Sequence, residues 1–354
     1  MAPGTRRGWL LPGVVAVALV VAGAAGAAGR GATPVRSGPS RTVTITAVGD
    51  TELGNTPILP PDPWALLAPL RPYLRSPIVF GNLEGTMTDA TSASCRVGPP
   101  VCYDFRVPPY YAALYRRAGF TILNSANNHI GDFGPAGVAS TSRALAGAGI
   151  VQTGLPGQIG VVRADGVRVA FLGFAPYGNT NDLLDAASEA QLVARARREA
   201  SLVVVYMHAG AEGPGAQHVT RGAETFLGED RGDPYAFAHA AIDEGADLVI
   251  ASGPHVLRGM QWYRGRLIDY SLGDFVNYED FATVGPLRYS VALSITLRAN
   301  GDFVAGHLTS FTLTPAGEPV VDPRGAAASL VTRLSQQDFG AAAVRLRSGG
   351  AIVP

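Results

Sequence analysis

Residues 122–134 place two amides, an imidazole and a carboxylate directly behind a short apolar run. The polar side chains are those of Asn127, Asn128, His129 and Asp132. Amide, imidazole and carboxylate groups that converge in this way can bind a divalent cation. Asn, Asp and Gly also form ordinary turns, so a polar strand-to-helix turn without chemistry is the alternative interpretation. The choice between the two depends on polar residues elsewhere in the chain.

Other polar residues also stand just behind apolar runs that predict β-strands. Because open α/β sheets place their ligands at the carboxyl ends of strands, we expect these residues to share one rim with Asn128. Carboxylate, amide and imidazole ligands together suit Mn, Fe or Zn better than Mg or Ca, and the set can hold one or two ions. Two ions about 3.5–4 Å apart would clamp the attacking and leaving oxygens of a phosphoryl transfer. The residues and the runs before them are Asp50 after 43–48, Glu84 after 78–81, His208 after 201–207 and His255 after 247–251.

The segments between these residues alternate strand patterns with helix patterns, which indicates an α/β fold. Helices are predicted over residues 108–118, 135–147 and 183–200. A hairpin is predicted around Arg264-Gly265, within a C-terminal region that is rich in β-forming residues.

Composition excludes several function classes. The 354 residues carry a net charge of zero, and the basic residues are scattered, so no nucleic-acid partner is expected. All 28 basic residues are Arg, and the absence of Lys excludes Schiff bases, a P-loop lysine and a Ser-Lys dyad.

The N-terminal residues predict export. Arg6 and Arg7 precede an uncharged, apolar stretch that ends in small residues. Residues 1–29 are therefore predicted to be a signal peptide or an uncleaved membrane anchor, rather than a buried core helix. Residues 30–41, rich in Gly, Pro, Ser and Arg, are predicted to be a linker.

Cys95 and Cys102 are the two cysteines of the chain. A metal site needs more soft ligands than this pair supplies, and redox CxxC motifs have a different spacing. In an exported chain the pair predicts a structural disulfide that closes a surface loop.

The order of the motifs between residues 42 and 276 resembles that of the CapA family of poly-gamma-glutamate capsule synthesis proteins, which is similar in turn to calcineurin-like metallophosphatases. The resemblance implies a four-layer α/β/β/α sandwich with two mixed β-sheets and a metal site at the rim. We expect this domain to cover residues 42–314, with residues 315–354 as a C-terminal extension. The motifs are Gly49-Asp50, Asn82-Leu83-Glu84-Gly85, Ala126-Asn127-Asn128-His129, His208 with Gly210, Gly253-Pro254-His255 and Tyr270-Ser271-Leu272-Gly273-Asp274.

The resemblance also implies a role for each matching residue. His129 would protonate the leaving oxygen or steady the phosphate, and Asp132 would orient His129. The metal ligands would be Asp50 and His255 for the first ion, Asn128 and His208 for the second, and Glu84 as a bridge between them.

The chain departs from the pattern of the metallophosphatases at three places. Glu52 stands where a His is usual, and it either supplies an oxygen or points into solvent. Gly253 replaces one imidazole of the second metal, a gap that Glu212, His218 or water could fill, unless the site holds a single ion. Asp274 stands where Asn is usual and adds a negative charge.

Two functions remain open at this level. The first is a metal-dependent hydrolase of phosphoester or related bonds, acting on an exported anionic polymer or its precursor. The second is a non-catalytic protein that binds or anchors polyglutamate. Either would work outside the cell or at the outer face of the cytoplasmic membrane, with the membrane, the cell-wall surface and capsule-synthesis membrane proteins as partners.

Overall fold

The computed structural model describes residues 41–95 and 102–354. The predicted export segment, and the predicted linker up to residue 40, lie outside the described residues. Within them, no helix combines the length and the apolar character that crossing a bilayer requires. Short 3₁₀ turns occur at Ala68–Tyr73, Gly285–Arg288 and Gly340–Ala342. The α-helices are α1 (Pro63–Leu67), α2 (Tyr111–Ala118), α3 (Gly134–Gly147), α4 (Ala186–Glu199), α5 (Pro234–Asp243) and α6 (Ala326–Phe339).

The strands of the motifs end at or close to their polar residues, as the sequence predicts. Two of the predicted helices are shorter than expected. One begins at Tyr111 rather than residue 108, and one begins at Ala186 because the Asp185 side chain caps it by accepting from two backbone N–H groups. The strands are β1 (Thr42–Glu52), β2 (Ile78–Leu83), β3 (Thr86–Met87), β4 (Arg106–Val107), β5 (Ile122–Asn124), β6 (Val151–Thr153), β7 (Gly160–Ala164), β8 (Val167–Phe174), β9 (Leu202–His208), β10 (Thr225–Phe226), β11 (Glu229–Asp230), β12 (Leu248–Ser252), β13 (Met260–Tyr263), β14 (Arg266–Asp269), β15 (Asp274–Asn277), β16 (Tyr289–Arg298), β17 (Phe303–Leu313), β18 (Pro319–Val321), β19 (Arg345–Leu346) and β20 (Ile352–Val353).

Two large sheets contain most of these strands. The first has the order β18-β17-β16-β1-β2-β5-β6, with β15 also paired to β1, and the second has the order β13-β14-β12-β9-β8-β7. Each sheet combines parallel and antiparallel pairs. The prediction of two mixed sheets is therefore confirmed.

The sheets pack face to face through an apolar core. The rings of Phe80 on β2 and Phe171 on β8 stack with their centroids 5.6 Å apart, and Tyr206 on β9 lies against the same Phe80. Helices α1, α2 and α3 cover the outer face of the first sheet, and α4 and α5 cover that of the second. This layer order confirms the predicted α/β/β/α sandwich.

Helix α6 closes one side of the sandwich. Its residues Leu330 and Leu334 belong to the core between the sheets, where the helix packs on β17 of one sheet and β13 of the other. The C-terminal part of the chain is thus built into the fold, since β18 also pairs with β17.

Strand register brings the polar strand ends together. Asp50 on β1 is paired with Asp274 on β15 and with Asn82 on β2. In the second sheet His208 is paired with Ser252. Asp50, Asn82, His208 and Ser252 stand at or near the carboxyl ends of parallel strands, and Asp274 begins β15 beside Asp50, so both sheets contribute polar side chains to one edge of the sandwich.

Candidate metal centre

Two buried groups of acidic and imidazole side chains meet at this edge. In each group the candidate ligand atoms lie within 4.8 Å of one another. The carboxylate of Asp50 belongs to both groups, so the described residues could hold one ion or two neighbouring ions. The groups are Asp50 with His255 and Asp274, and Asp50 with Glu84 and His208.

Asp50 is held by donors from both sheets. Its Oδ1 accepts hydrogen bonds from Asn82 Nδ2 at 2.8 Å and from the Ser252 hydroxyl, and its Oδ2 accepts one from Gly253 N at 3.2 Å. Burial raises the pKa of Asp50 to about 6, although the nearby His255 opposes the rise. A cation beside Asp50 would offset this cost of burying its charge.

Glu84 has an unused oxygen. Its Oε2 accepts from Asn82 Nδ2, but its buried Oε1 has no hydrogen-bond partner in the described part of the chain and lies 3.6 Å from His208 Nε2. Burial raises the pKa of Glu84 well above its ordinary value, and the Asp50 carboxylate raises it further. An orphaned carboxylate oxygen that faces an imidazole fits a metal ligand.

Asn82 is a functional residue that the sequence reasoning missed. Its amide donates to the carboxylates of both Asp50 and Glu84, while its Oδ1 accepts from Asn124 at 2.7 Å and from Asn127 at 3.1 Å. Its place within the Asn82-Leu83-Glu84-Gly85 motif was a signal that could have identified it.

His208 and Asn128 approach each other across the two sheets. Asn128 Oδ1 lies 2.9 Å from His208 Nε2, and the hydroxyl of Tyr206 lies 3.2 Å from His208 Nδ1. Burial lowers the pKa of His208 well below its ordinary value. A neutral imidazole is the form that ligates a metal.

His255 is positioned by Asp274 and by its own backbone. Its Nδ1 lies 2.8 Å from Asp274 Oδ1, its ring stacks on Phe281 with centroids 4.4 Å apart, and its φ of 57° is left-handed. Burial opposes protonation of this ring, yet Asp274 raises the pKa of His255 well above its ordinary value. The strained backbone aims the ring into the centre.

Asn127, His129 and Asp132 form a tight unit in the turn after β5. Asn127 Oδ1 accepts from the backbone N–H groups of His129 and Ile130, both at 3.0 Å, which fixes the turn. Asp132 Oδ2 lies 2.9 Å from His129 Nδ1 and accepts from Phe105 N at 2.7 Å. His129 Nε2 is 3.9 Å from Glu84 Oε1, so the ring points toward the metal centre.

Three of the candidate additional ligands, Glu52, Glu212 and His218, lie outside both ligand groups. His218 is exposed and lies 2.7 Å from Asp338 Oδ1 on α6. Glu52 does not point into solvent. It is buried, and its Oε2 lies so close to Gly85 that a Cβ added to this glycine would be 2.7 Å from it. Glu52 belongs to neither ligand group.

Glu212 does approach the centre, 3.7 Å from His255 Nε2, but its other oxygen pairs with Arg231 at 2.6 Å. Arg231 also pairs with Glu229 at 3.2 Å. No sequence pattern indicates that Arg231 pairs with Glu212, because the segment between them has no helix or strand periodicity that would place the two side chains together. The guanidinium of Arg231 is therefore already paired with two carboxylates.

A cavity of about 720 Å³ opens above the metal centre. Its polar floor includes Asn128, His129 and His255, and its walls include the rings of Phe105 and Phe281. These aromatic rings limit access of water to the imidazoles they contact.

The predicted disulfide between Cys95 and Cys102 is confirmed, and Cys102 lies at the wall of this cavity. Ser94, next to the disulfide, donates its N–H to Asp132 O at 2.7 Å. This hydrogen bond therefore joins the disulfide-bonded wall to the turn that carries His129.

Known proteins with similar sequences include two capsule proteins. The chain is 31% identical over 199 residues to the PGA biosynthesis protein CapA of Bacillus subtilis (strain 168), covering 51% of this chain and 48% of that protein. It is 30% identical over 208 residues to the capsule biosynthesis protein CapA of Bacillus anthracis, covering 52% and 46%. The matched stretches thus span about half the length of these curated relatives.

Among solved structures, the 5'-nucleotidase precursor from Thermus thermophilus aligns with a TM-score of 0.42 at 14% identity, over 84% of this chain and 59% of that one.

The layered fold and its rim define an α/β/β/α protein with buried acidic and imidazole groups that could hold metal ions. Residues 44–279 match the model of the family described as bacterial capsule synthesis protein PGA_cap. The chain belongs to this family.

Proposed function

We propose that the protein is an exported, metal-dependent hydrolase of phosphoester or related bonds that acts in capsule polymer synthesis. The observation that carries the proposal is the convergence of Asp50, Glu84 and Asp274 with His208 and His255 in one buried cluster. So many buried carboxylates repel one another when ionised, and a cation between them would relieve this repulsion. Glu84 Oε1 supports the proposal most directly, since it is buried without a partner among the described residues.

The two ligand groups suit one or two ions of Mn, Fe or Zn, because they combine carboxylate oxygens with imidazole nitrogens. When bound, such ions would polarise the phosphorus–oxygen bond and make water a nucleophile at neutral pH. Asn128, beside His208, would complete the second group with an amide oxygen.

His129 is suited to proton transfer at the leaving oxygen. Asp132 accepts a hydrogen bond from the Nδ1–H of His129 and fixes the orientation of the ring, so that Nε2 faces the cavity. Phe105 packs on the His129 ring with centroids 4.3 Å apart and restricts its rotation. A fixed ring keeps the proton aimed at one position above the metal centre.

Export and the choice of partner are part of the proposal. The apolar N-terminal stretch and the disulfide between Cys95 and Cys102 both suit an oxidising compartment outside the cytoplasm. The names of the Bacillus relatives point to poly-gamma-glutamate or its precursor as the partner, at the membrane or cell-wall surface.

The test is metal content together with hydrolysis by the purified full-length chain. We expect bound divalent metal, and turnover of bis(p-nitrophenyl) phosphate that EDTA abolishes and Mn²⁺ restores. Asp50→Asn should lose both properties, while Glu318→Gln, an exposed carboxylate outside the centre, should keep both. A chain that binds no metal, or one in which Asp50→Asn turns over like the wild type, contradicts the proposal.

A second candidate is a metal-holding but non-catalytic protein that binds polyglutamate. Gly253 favours it, because the imidazole expected there is missing and a Cβ at this position would lie 3.2 Å from the His208 ring. Stoichiometric metal without turnover of phosphodiester or γ-glutamyl amide substrates would select this candidate.

A further inference from the structure

A second cleft, of about 570 Å³, lies between β17, α6 and the β19–β20 hairpin. None of its lining residues belongs to the metal-binding groups or to the cavity above them. Arginines from three different segments line it, so we call it the arginine cleft. They are Arg324 before α6, Arg333 on α6 and Arg347 in the hairpin.

The arginine cleft has an excess of positive charge. Within the described part of the chain, none of the three guanidinium groups forms an ion pair or a hydrogen bond. One carboxylate lines the cleft, that of Asp322, and its oxygens accept the backbone N–H groups of Arg324 at 2.9 Å and Ala326 at 2.8 Å. The charge of Asp322 is therefore directed at the start of the helix, and the arginines remain free to bind a ligand.

The size of the cleft and the spread of its arginines indicate the class of ligand. A volume of 570 Å³ lies within the usual range for ligand-binding clefts and exceeds the space that a single small anion fills. Guanidinium groups bind carboxylates through paired hydrogen bonds. Three of them on separate segments suit a chain that presents several carboxylates in succession.

We propose that the arginine cleft binds a segment of a carboxylate-bearing polymer, at a surface separate from the metal centre. The inference rests on the proposed function, which supplies an anionic polymer as the partner. The cavity above the metal centre is poorly suited to this task by itself, because its Arg231 is already paired with Glu212 and Glu229. Holding the polymer and reacting with it would thus fall to different parts of the molecule.

The test is binding of a fluorescently labelled, γ-linked glutamate decamer to the full-length chain, measured by anisotropy at about 0.1 M salt, where surface charges are only partly screened. We expect each of Arg324→Gln, Arg333→Gln and Arg347→Gln to weaken binding about threefold to tenfold, as the loss of one charge-assisted contact predicts. The triple variant should show no saturable binding, and triple replacement by Lys should restore part of the affinity. Arg198→Gln is the matched control, since Arg198 is an exposed arginine on α4, far in sequence from the cleft.

Three results would overturn the inference. The first is equal binding by the wild type and the triple Gln variant. The second is loss of decamer binding in EDTA or in Asp50→Asn, which would assign the polymer to the metal centre. The third is displacement of the decamer by inorganic phosphate at an equal molar concentration, which would make the cleft a site for single anions. Decamer binding by a chain that fails to hydrolyse any ester would leave the cleft intact and refute only the proposed hydrolase.

Discussion

Asn128 Oδ1 lies 2.9 Å from His208 Nε2, although 80 residues separate the two in sequence. Asn128 follows a strand of the first sheet, and His208 ends a strand of the second. The contact therefore forms only when the two sheets have docked in their final register. A metal held between these residues would stabilise the packing of the sheets as well as the site.

Replacement of Asn82 tests the support of the two carboxylates. Asn82→Ala removes the donor shared by Asp50 and Glu84, and loss of such an outer contact usually weakens metal binding about 10–100-fold. Isothermal titration with Mn²⁺ would measure this change. Asn124→Ala is the matched control, because Asn124 is also a buried asparagine. It contacts Asn82 but neither carboxylate. Equal weakening in both variants would show that a general packing defect is responsible.

Loss of His129 should depend on the leaving group. General acid catalysis contributes about 10²–10⁴-fold to a rate, but only when the leaving oxygen needs a proton. We expect His129→Ala to reduce kcat strongly for an alkyl phosphodiester and weakly for a p-nitrophenyl phosphodiester. Asp132→Asn should show the same pattern with smaller losses, since Asp132 acts through His129. Equal losses for both substrates would assign His129 to binding instead.

Restoring the imidazole at position 253 should not restore a ligand. Gly253 has a φ of 112°, and a Cβ there would lie 3.2 Å from the His208 ring. Gly253→His should therefore lower the free energy of unfolding by about 1–3 kcal/mol through backbone strain, without adding a bound ion. Urea denaturation and metal analysis would measure the two effects, with Gly215→His, at an open position, as the control. A gain of one ion per chain would contradict this expectation.

The stability of the fold should respond to pH through Glu189 on α4. Burial raises the pKa of Glu189 from 4.5 to about 8, with a contribution from Glu244, and its Oε1 has no hydrogen-bond partner among the described residues. The folded state holds this proton more tightly than the unfolded state, so stability falls as pH rises from about 4.5 to about 8. Glu189→Gln removes this titratable carboxyl group. Each unit of difference between its folded-state and unfolded-state pKa is equivalent to about 1.4 kcal/mol of folding free energy. We expect the variant to match the wild type at about pH 5 and to exceed its stability by several kcal/mol at about pH 9.

Denaturant unfolding in EDTA at the two pH values would test this prediction. Glu244→Gln, an exposed carboxylate near Glu189, is the control and should change stability far less. A wild type that unfolds at the same denaturant concentration at both pH values, or a Glu189→Gln variant that gains nothing at the higher pH, would contradict it.

The sequence predicts the layers and most of the rim because both depend on local patterns. Apolar runs that end in Asp50, Glu84, His208 and His255 are visible without any long-range information. The contacts of side chains in long loops cannot be predicted from such local patterns. His218 follows His208 closely, yet Asp338 on α6 binds it, and only the folded chain brings that partner near. Glu52 could equally have pointed into solvent, but a register shift after Asp50 and the turn at Gly85 enclose it.

Helix α6 follows the described strands of both large sheets in sequence, yet its Leu330 and Leu334 fill the interior between those sheets. The described strands of both sheets are therefore synthesised before the residues that close their shared interior. We expect the nascent chain to expose this apolar opening until α6 emerges, and so to require a chaperone or an unfolded route of transport during that interval. A premature stop codon before α6 leaves the opening permanently unfilled and makes the truncated product a substrate for proteolysis.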